Sequence, residues 1–231
     1  FYNILTSESV KNSIGKVSSD LIEIDKESKF SLDLIEQAGL YSIYNAISDL
    51  GKNSGYTEEQ LKDCAFWNTE TKCSLNIEKV KNNLKMYIQN YFNKLTKDLG
   101  VYNVDIRIDE NKIIVNFNAK DLKFIKDNIE YTRDHKFSKE VNYDINKYEQ
   151  LFNKFSKEEG KLRSCPDKDE KSIAIDENLL EPGLYCKDEK GALLFEYKRE
   201  EFYLNSFQYP DSLQPVIKFK IKKIIEAQPN L

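Results

Sequence analysis

Long apolar runs, glycine and histidine are scarce in this sequence of 231 residues, and each shortage argues against a class of protein or site. No apolar segment approaches the roughly 20 residues that a helix needs to cross a bilayer, so we do not expect the chain itself to span a membrane. With eight glycines, the sequence has no phosphate-binding loop, no dinucleotide-binding glycine motif and no nucleophile elbow. The paired histidines of a zinc protease are also missing. We therefore predict no catalytic residue, no metal and no cofactor.

The single histidine, His135, follows Asp134 in a charged stretch that we interpret as a solvated loop. A catalytic triad is the competing interpretation, but no serine lies in a recognisable nucleophile motif. Residues 167–170 resemble the start of a calcium loop but lack the glycine and the glutamate that such a loop needs further on. Glycoside hydrolysis requires only two carboxylates, and the chain has 39 acidic residues. A secreted carboxylate-dependent hydrolase therefore stays open as an alternative function.

The overall composition is that of a globular chain, with 40% hydrophobic and 32% charged residues. The net charge is −4, and lysine and arginine are interleaved with acidic residues, which argues against a nucleic-acid partner. The basic stretch 218–223 alternates with Phe219 and Ile221. That spacing is typical of a strand with one solvated face.

The four cysteines fall into two local pairs, Cys64 with Cys73 and Cys165 with Cys186. Four cysteines allow three connectivities, and we favour the two local disulfides because short loops cost least to close. A zinc site is less favoured because the close cysteine spacing of zinc knuckles is absent, and free thiols are the remaining alternative. Two disulfides indicate an oxidising compartment, so we predict an extracellular or cell-surface location.

The only tryptophan, Trp67, lies inside the loop that the first disulfide would close. A tryptophan in a small cystine loop can form the tip of an interaction loop, and Trp67 is our candidate for that role. The competing interpretation, which we favour, is that the large ring anchors the loop to the body of the protein.

The segment 30–51 predicts the central helix of the fold. Its apolar residues recur at steps of three and four: Leu34, Ala38, Leu40, Tyr41, Ile43, Tyr44, Ile47 and Leu50. We expect Ser31 to cap the start of this helix and Phe30 to contact Ile35 across the first turn. Gly51 is expected to end the helix in a left-handed conformation.

Four other segments have helical patterns. Residues 7–26 carry a four-three spacing typical of a helix that lies along a neighbour, formed by Val10, Ile14, Val17, Leu21 and Ile24. A strand at 21–24 is the alternative there. A capping box from Thr57 to Gln60 predicts a short helix through residue 64. Amphipathic patterns predict helices at 75–99 and at 145–158, the latter capped by Asp144.

Alternation of period two predicts strands in the rest of the chain. Residues 101–118 read as a β-hairpin with one solvated face. Further strand-like runs occur at 129–133, 137–143, 172–175, 183–187, 192–197, 202–204 and 216–225.

These patterns predict an α+β fold in which amphipathic helices pack on an antiparallel β-sheet, with a β-rich C-terminal part. We place a soft boundary near Gly160. It divides the chain into an α+β body, residues 1–160, and a small β-rich module, residues 161–231. In the alternative, the last strand pairs with the hairpin and the chain forms one domain.

The chain begins at Phe1 rather than at a methionine, so we expect an upstream segment. The first helix could continue a membrane anchor outward, or it could be an ordinary amphipathic helix. Together with the paired cysteines and the composition rich in asparagine and tyrosine, this start resembles the ectodomain of a prokaryotic, including archaeal, membrane-anchored cell-surface protein. The resemblance is one of architecture. It implies a non-catalytic extracellular structural or interaction domain that binds a protein partner or assembles with itself, and that meets a membrane only through the upstream anchor.

Overall fold

The computed structural model describes residues 2–68, 70–97, 102–109, 112–126, 129–158, 165, 184–198 and 216–222. Short 3₁₀ turns at Thr71–Cys73 and Ser156–Glu158 accompany the main elements. In chain order the helices and strands are α1 (Tyr2–Lys52), α2 (Glu58–Asp63), α3 (Ile77–Leu95), β1 (Asn103–Asp109), β2 (Lys112–Lys126), β3 (Ile129–Asn142), α4 (Asn146–Phe155), β4 (Leu184–Glu189), β5 (Ala192–Lys198) and β6 (Val216–Lys222). The strands form two antiparallel sheets of three, so the α+β prediction is confirmed.

Helix α1 is a single helix of 51 residues, about 76 Å long at 1.5 Å per residue, where the sequence predicts two helices. The prediction that Ser31 caps a helix is wrong, because the backbone is already helical through the residues before it. The predicted packing of Phe30 across a first helical turn is wrong as well, because no helix begins there and 66% of the Phe30 surface is exposed. Of the five apolar residues in the four-three pattern at 7–26, three have side chains that the structure does not describe: Val10, Ile14 and Val17.

The face of α1 that packs on the core is narrower than the sequence predicts. It is formed by Ile24, Leu32, Ile35, Ile43, Ala46, Ile47 and Leu50, all of which are buried. Leu34 and Tyr41, which the pattern assigns to this face, are 52% and 54% exposed. A helix flanked by neighbours on one side buries only about a third of its circumference, so a broad apolar pattern exceeds what the core can cover.

Gly51 has a different role from the predicted one. The helix continues through it to Lys52, and the left-handed conformations follow at Ser54 and Gly55, with φ of 60° and 85°. A Cβ added at Gly51 would lie 2.0 Å from the carbonyl oxygen of Val216 at the start of β6. Glycine is therefore required because two backbones meet there.

Strands β1, β2 and β3 form a meander, which we call sheet A. The predicted hairpin is confirmed, with Ile106 opposite Val115. Strand β2 runs beyond the predicted end at residue 118, and a bulge between Ala119 and Leu122 shifts its register with β3. Asp121, in the bulge, has a φ of 53°. The two strands predicted at 129–133 and 137–143 are one strand.

Strands β4, β5 and β6 form the second sheet, sheet B. The ends of its three strands differ from the predicted ends by at most three residues. The alternative that the last strand pairs with the hairpin is wrong, because β6 pairs with β5, with Phe219 opposite Phe195. The predicted strands at 172–175 and 202–204 lie outside the described residues.

The three shorter helices match their predictions closely. Thr57 and Gln60 form the reciprocal capping box at the start of α2. Asn76 caps α3 by accepting from the backbone N–H of Lys79. Asp144 does not sit at the cap position of α4, but its carboxylate accepts from the N–H of Asn146 at 3.1 Å.

One hydrophobic cluster joins the helices and both sheets. The inner face of α1 contacts α3, sheet A and β6. Phe155 of α4 packs against Phe195 and Phe219 of sheet B, with ring centroids 4.7 and 5.1 Å apart. Residues on both sides of the predicted boundary thus share a core, while Gly160 itself lies outside the described residues. The division into 1–160 and 161–231 stays a prediction.

Candidate functional site

The cysteines pair as the sequence favours, Cys64 with Cys73 and Cys165 with Cys186. The first disulfide is buried, and the second is half-buried beside sheet B. The carbonyl of Cys73 accepts a hydrogen bond from the buried hydroxyl of Tyr56. The first bridge is therefore part of the core of the protein.

Trp67, inside the first cystine loop, has no exposed surface. Its Nε1–H donates to the carbonyl of Ser54 at 3.1 Å, and its backbone N–H donates to the carbonyl of Lys220 at 2.9 Å. The indole stacks on Phe219 with ring centroids 4.0 Å apart. Trp67 cannot be the tip of an interaction loop in this structure, because all of its ring faces protein.

His135 is not in a solvated loop, as the sequence suggested, but on β3 with 8% of its surface exposed. Its Nδ1 lies 2.9 Å from the hydroxyl of Tyr102, which is itself buried just before β1. Its Nε2 lies 3.6 Å from a carboxylate oxygen of Glu36 on α1. The other oxygen of Glu36 accepts from Lys139 of β3 at 2.8 Å. This polar cluster joins α1 to sheet A.

Burial and charge together set the protonation states of these groups. Burial lowers the pKa of His135 below its ordinary 6.5, against the opposing attraction of Glu36. The hydrogen bond from Lys139 lowers the pKa of Glu36. Burial also raises the pKa of Tyr102, so its hydroxyl stays protonated. The cluster therefore holds a neutral imidazole beside a charged carboxylate at neutral pH.

A pattern in the sequence could have located this cluster. In β3 the odd-numbered residues point toward the core, from Tyr131 through His135 and Phe137 to Val141. The same period places His135 on the inner face. The charged neighbours of His135 hide this pattern, because they resemble a loop between two strands.

The outward face of α1 is the second candidate site. Phe30, Leu34 and Tyr41 follow one another at steps of four and seven, so they lie in one row on the helix. Their exposed fractions are 66%, 52% and 54%. Gln37, also exposed, lies beside the row, and the open part of the row ends before Ser48, which is buried. We call Phe30, Leu34 and Tyr41 the outward row.

A pocket of about 240 Å³ lies between α1, α2 and α3. Its lining combines three acids with two tyrosines and one lysine: Asp49, Glu58, Glu59, Tyr87, Tyr91 and Lys94, together with Thr57, Met86 and Asn90. The Tyr91 hydroxyl donates to the carboxylate of Asp49. Burial, and then Asp49, raise the pKa of Tyr91 to about 12. All of these residues lie between positions 49 and 94, in the α+β body of the chain.

Neither a cluster of metal ligands nor a helix able to span a membrane occurs among the described residues. No three histidine, cysteine or acidic side chains there are grouped in a way that could hold a metal ion. None of the helices there combines the length and the apolar character that crossing a bilayer requires.

Comparison of the chain with protein-family models, with curated proteins and with solved structures gave no match.

Proposed function

We propose that this chain is a non-catalytic extracellular interaction domain of a cell-surface protein, which binds a protein partner or a further copy of itself through the outward row of α1. The observation that carries the proposal is the exposure of Phe30, Leu34 and Tyr41 on the side of the helix opposite the core. Single exposed apolar residues are common on protein surfaces, but a row of large ones on a rigid helix is the usual form of a helix docking face.

The free energy that a partner would gain by covering the outward row supports a binding role. Covering a fully exposed side chain of this kind contributes about 1.5–3 kcal/mol, so covering the exposed halves of three contributes about 2–4 kcal/mol. Two of the three residues are aromatic, and aromatic residues are enriched among those that dominate binding energy. A partner that covers the row would gain enough to offset part of the entropy lost on association.

The disulfides support the extracellular part of the proposal. Both pairs of cysteines are bonded, and such bonds persist in secreted and cell-surface proteins but are rare in the cytosol. The first pair is buried in the core, so a reducing compartment would remove a stabilising element from the fold.

The proposal is tested by photo-crosslinking from the outward row. A benzophenone amino acid at Gln37 should capture a second copy or a specific cell-envelope protein of the source organism. The same amino acid at Thr132, which is exposed on β3, serves as the control. Capture at residue 37 and not at residue 132 supports the proposal. Equal capture at both positions, or none at either, contradicts it.

A secreted carboxylate-dependent hydrolase is the second candidate, and the pocket beside Asp49 favours it. The pocket brings three carboxylates near two tyrosines, although its volume lies below the range usual for ligand sites. A screen against glycoside and ester substrates would test this function. Activity that disappears in Asp49→Asn, while the far-UV spectrum is unchanged, would favour the hydrolase over the interaction domain.

A further inference from the structure

The hydrogen-bond directions around His135 follow from its two neighbours. Glu36 carries a negative charge 3.6 Å from Nε2, so the ring proton belongs on Nε2, where it faces the carboxylate. Nδ1 then has a free lone pair and accepts from the Tyr102 hydroxyl at 2.9 Å. The opposite tautomer would point a lone pair at the carboxylate. The geometry thus assigns a neutral imidazole that accepts from Tyr102 on one side and faces Glu36 on the other.

We propose that Tyr102, His135 and Glu36 form an acid-sensitive latch that holds α1 on sheet A. Protonation of the imidazole turns Nδ1 from an acceptor into a donor. The Tyr102 hydroxyl must then accept from Nδ1 and turn its own proton elsewhere. Tyr102 is 1% exposed. Among the described residues, the hydrogen-bond partner of its hydroxyl is Nδ1 of His135. A buried donor left without an acceptor destabilises the contact.

The charges that face His135 act in both directions. Glu36 and Asp33 of α1 favour the protonated ring, whereas Arg133 of β3 opposes it. Glu36 is already neutralised in part by Lys139, whose Nζ lies 2.8 Å from it. The attraction that would stabilise an imidazolium is therefore weakened. Burial of the ring, which disfavours its charged form, outweighs that attraction, and the loss of the Tyr102 hydrogen bond acts in the same direction.

The latch lies beside a close contact between α1 and sheet A. One turn after Glu36, the backbone of Gly39 approaches the ring of Phe137 so closely that a Cβ there would lie 2.7 Å from it. Phe137 in turn lies next to His135, with ring centroids 5.1 Å apart. A change at His135 therefore acts next to a place where helix and sheet approach closely. This device is independent of the proposed function, because it uses the inner side of α1.

The chain has one histidine, so its imidazole resonances can be assigned without ambiguity. In ¹⁵N-labelled protein at pH 7.5, the proposal expects a neutral ring with the proton on Nε2. Hydrogen exchange of the α1 amides at 32–43, corrected for intrinsic rates, should show protection that falls as pH is lowered from 7 to 5. For each unit by which the fold lowers the pKa of His135, protonation of the ring shifts the equilibrium between latched and unlatched α1 by about tenfold.

Two variants separate the latch from ordinary packing. His135→Gln keeps a neutral donor toward Glu36 but cannot be protonated, so protection of α1 should become independent of pH between 5 and 7. Tyr102→Phe removes the hydroxyl that competes for Nδ1, so the imidazole should titrate at higher pH than in the wild type. A neutral wild-type ring with its proton on Nδ1 would overturn the latch. So would α1 protection that depends on pH equally in the wild type and in His135→Gln, or an imidazole that titrates at the same pH in the wild type and in Tyr102→Phe.

Discussion

The indole of Trp67 lies flat on the ring of Phe219, with centroids 4.0 Å apart and planes 5° apart. This stack fixes a residue of the first cystine loop to the middle of β6, an edge strand of sheet B, and Phe152 meets the same indole edge-on at 5.6 Å. A short polar excursion thus supplies one of the contacts that join the helices to the C-terminal sheet.

Replacing this ring tests its role as an anchor. Trp67→Ala should lower the free energy of unfolding by about 3–5 kcal/mol, because it removes the largest buried side chain and leaves a cavity. Trp67→Phe retains a stacked ring and should cost less. Urea denaturation followed by far-UV circular dichroism measures both. A loss under about 1 kcal/mol for the alanine variant would show that the indole is not an anchor.

Gly51→Ala is expected to destabilise the protein, although alanine is the better helix former by about 1 kcal/mol. The added Cβ would lie 2.0 Å from a backbone oxygen of Val216, and a backbone cannot move aside as a side chain can. Overpacking of this kind costs about 1–3 kcal/mol or more. Thermal denaturation, with the exposed Ser19→Ala as control, measures the difference. A stabilised Gly51→Ala variant would rule out the close contact with β6.

The two disulfides are expected to matter in a different order from the one suggested by loop length. The sequence separations of 9 and 21 give about 2.5 and 3.3 kcal/mol by chain entropy, so loop length alone makes the second bridge the more stabilising one. Because Trp67 anchors sheet B, the Cys64→Ser/Cys73→Ser pair should also reduce hydrogen-exchange protection in β5 and β6. The Cys165→Ser/Cys186→Ser pair is the comparison. Unchanged protection in β5 and β6 after loss of the first bridge would contradict this.

Local patterns predicted the elements whose signals are local. The helices α3 and α4, the capping box at Thr57 and the β1–β2 hairpin depend on residues close in sequence, and they lie where expected. The continuity of α1 was missed because Ser31 and Phe30 have the chemistry of a helix start. Tertiary packing overrode that signal. The role of Gly51 depends on a strand far along the chain, which no local pattern reveals.

The candidate sites were less accessible to sequence reasoning than the fold. Leu34 and Tyr41 fit an apolar helix face, and only the positions of α3 and the sheets show that they point away from the core. The Tyr102–His135–Glu36 cluster joins three elements that are distant in sequence. The pairing of the cysteines was accessible because both loops are short.

The stability of the protein should fall as the pH drops below about 6.5. His135 has a pKa lowered by burial, so the unfolded chain binds its proton first, and the stability present above 6.5 is lost as pH falls toward the lowered pKa. Glu36, whose pKa is also lowered, adds a further loss below about 4.5. Urea midpoints from pH 8 to 5 measure the first effect, and His135→Gln should flatten it. An unchanged slope in that variant would assign the effect to other groups.

The most direct test of the proposed interaction domain compares two triple variants of α1. Phe30→Ser/Leu34→Ser/Tyr41→Ser removes the outward row, and Lys26→Ser/Lys29→Ser/Asp33→Ser changes other exposed residues of the same helix. Both should unfold at urea concentrations close to the wild type, because none of the six residues is buried. The affinity for the partner captured at residue 37, or for a second copy measured by sedimentation, should fall about 30-fold or more in the first variant only. Equal affinity in the two variants would contradict the proposal that the outward row is the binding surface.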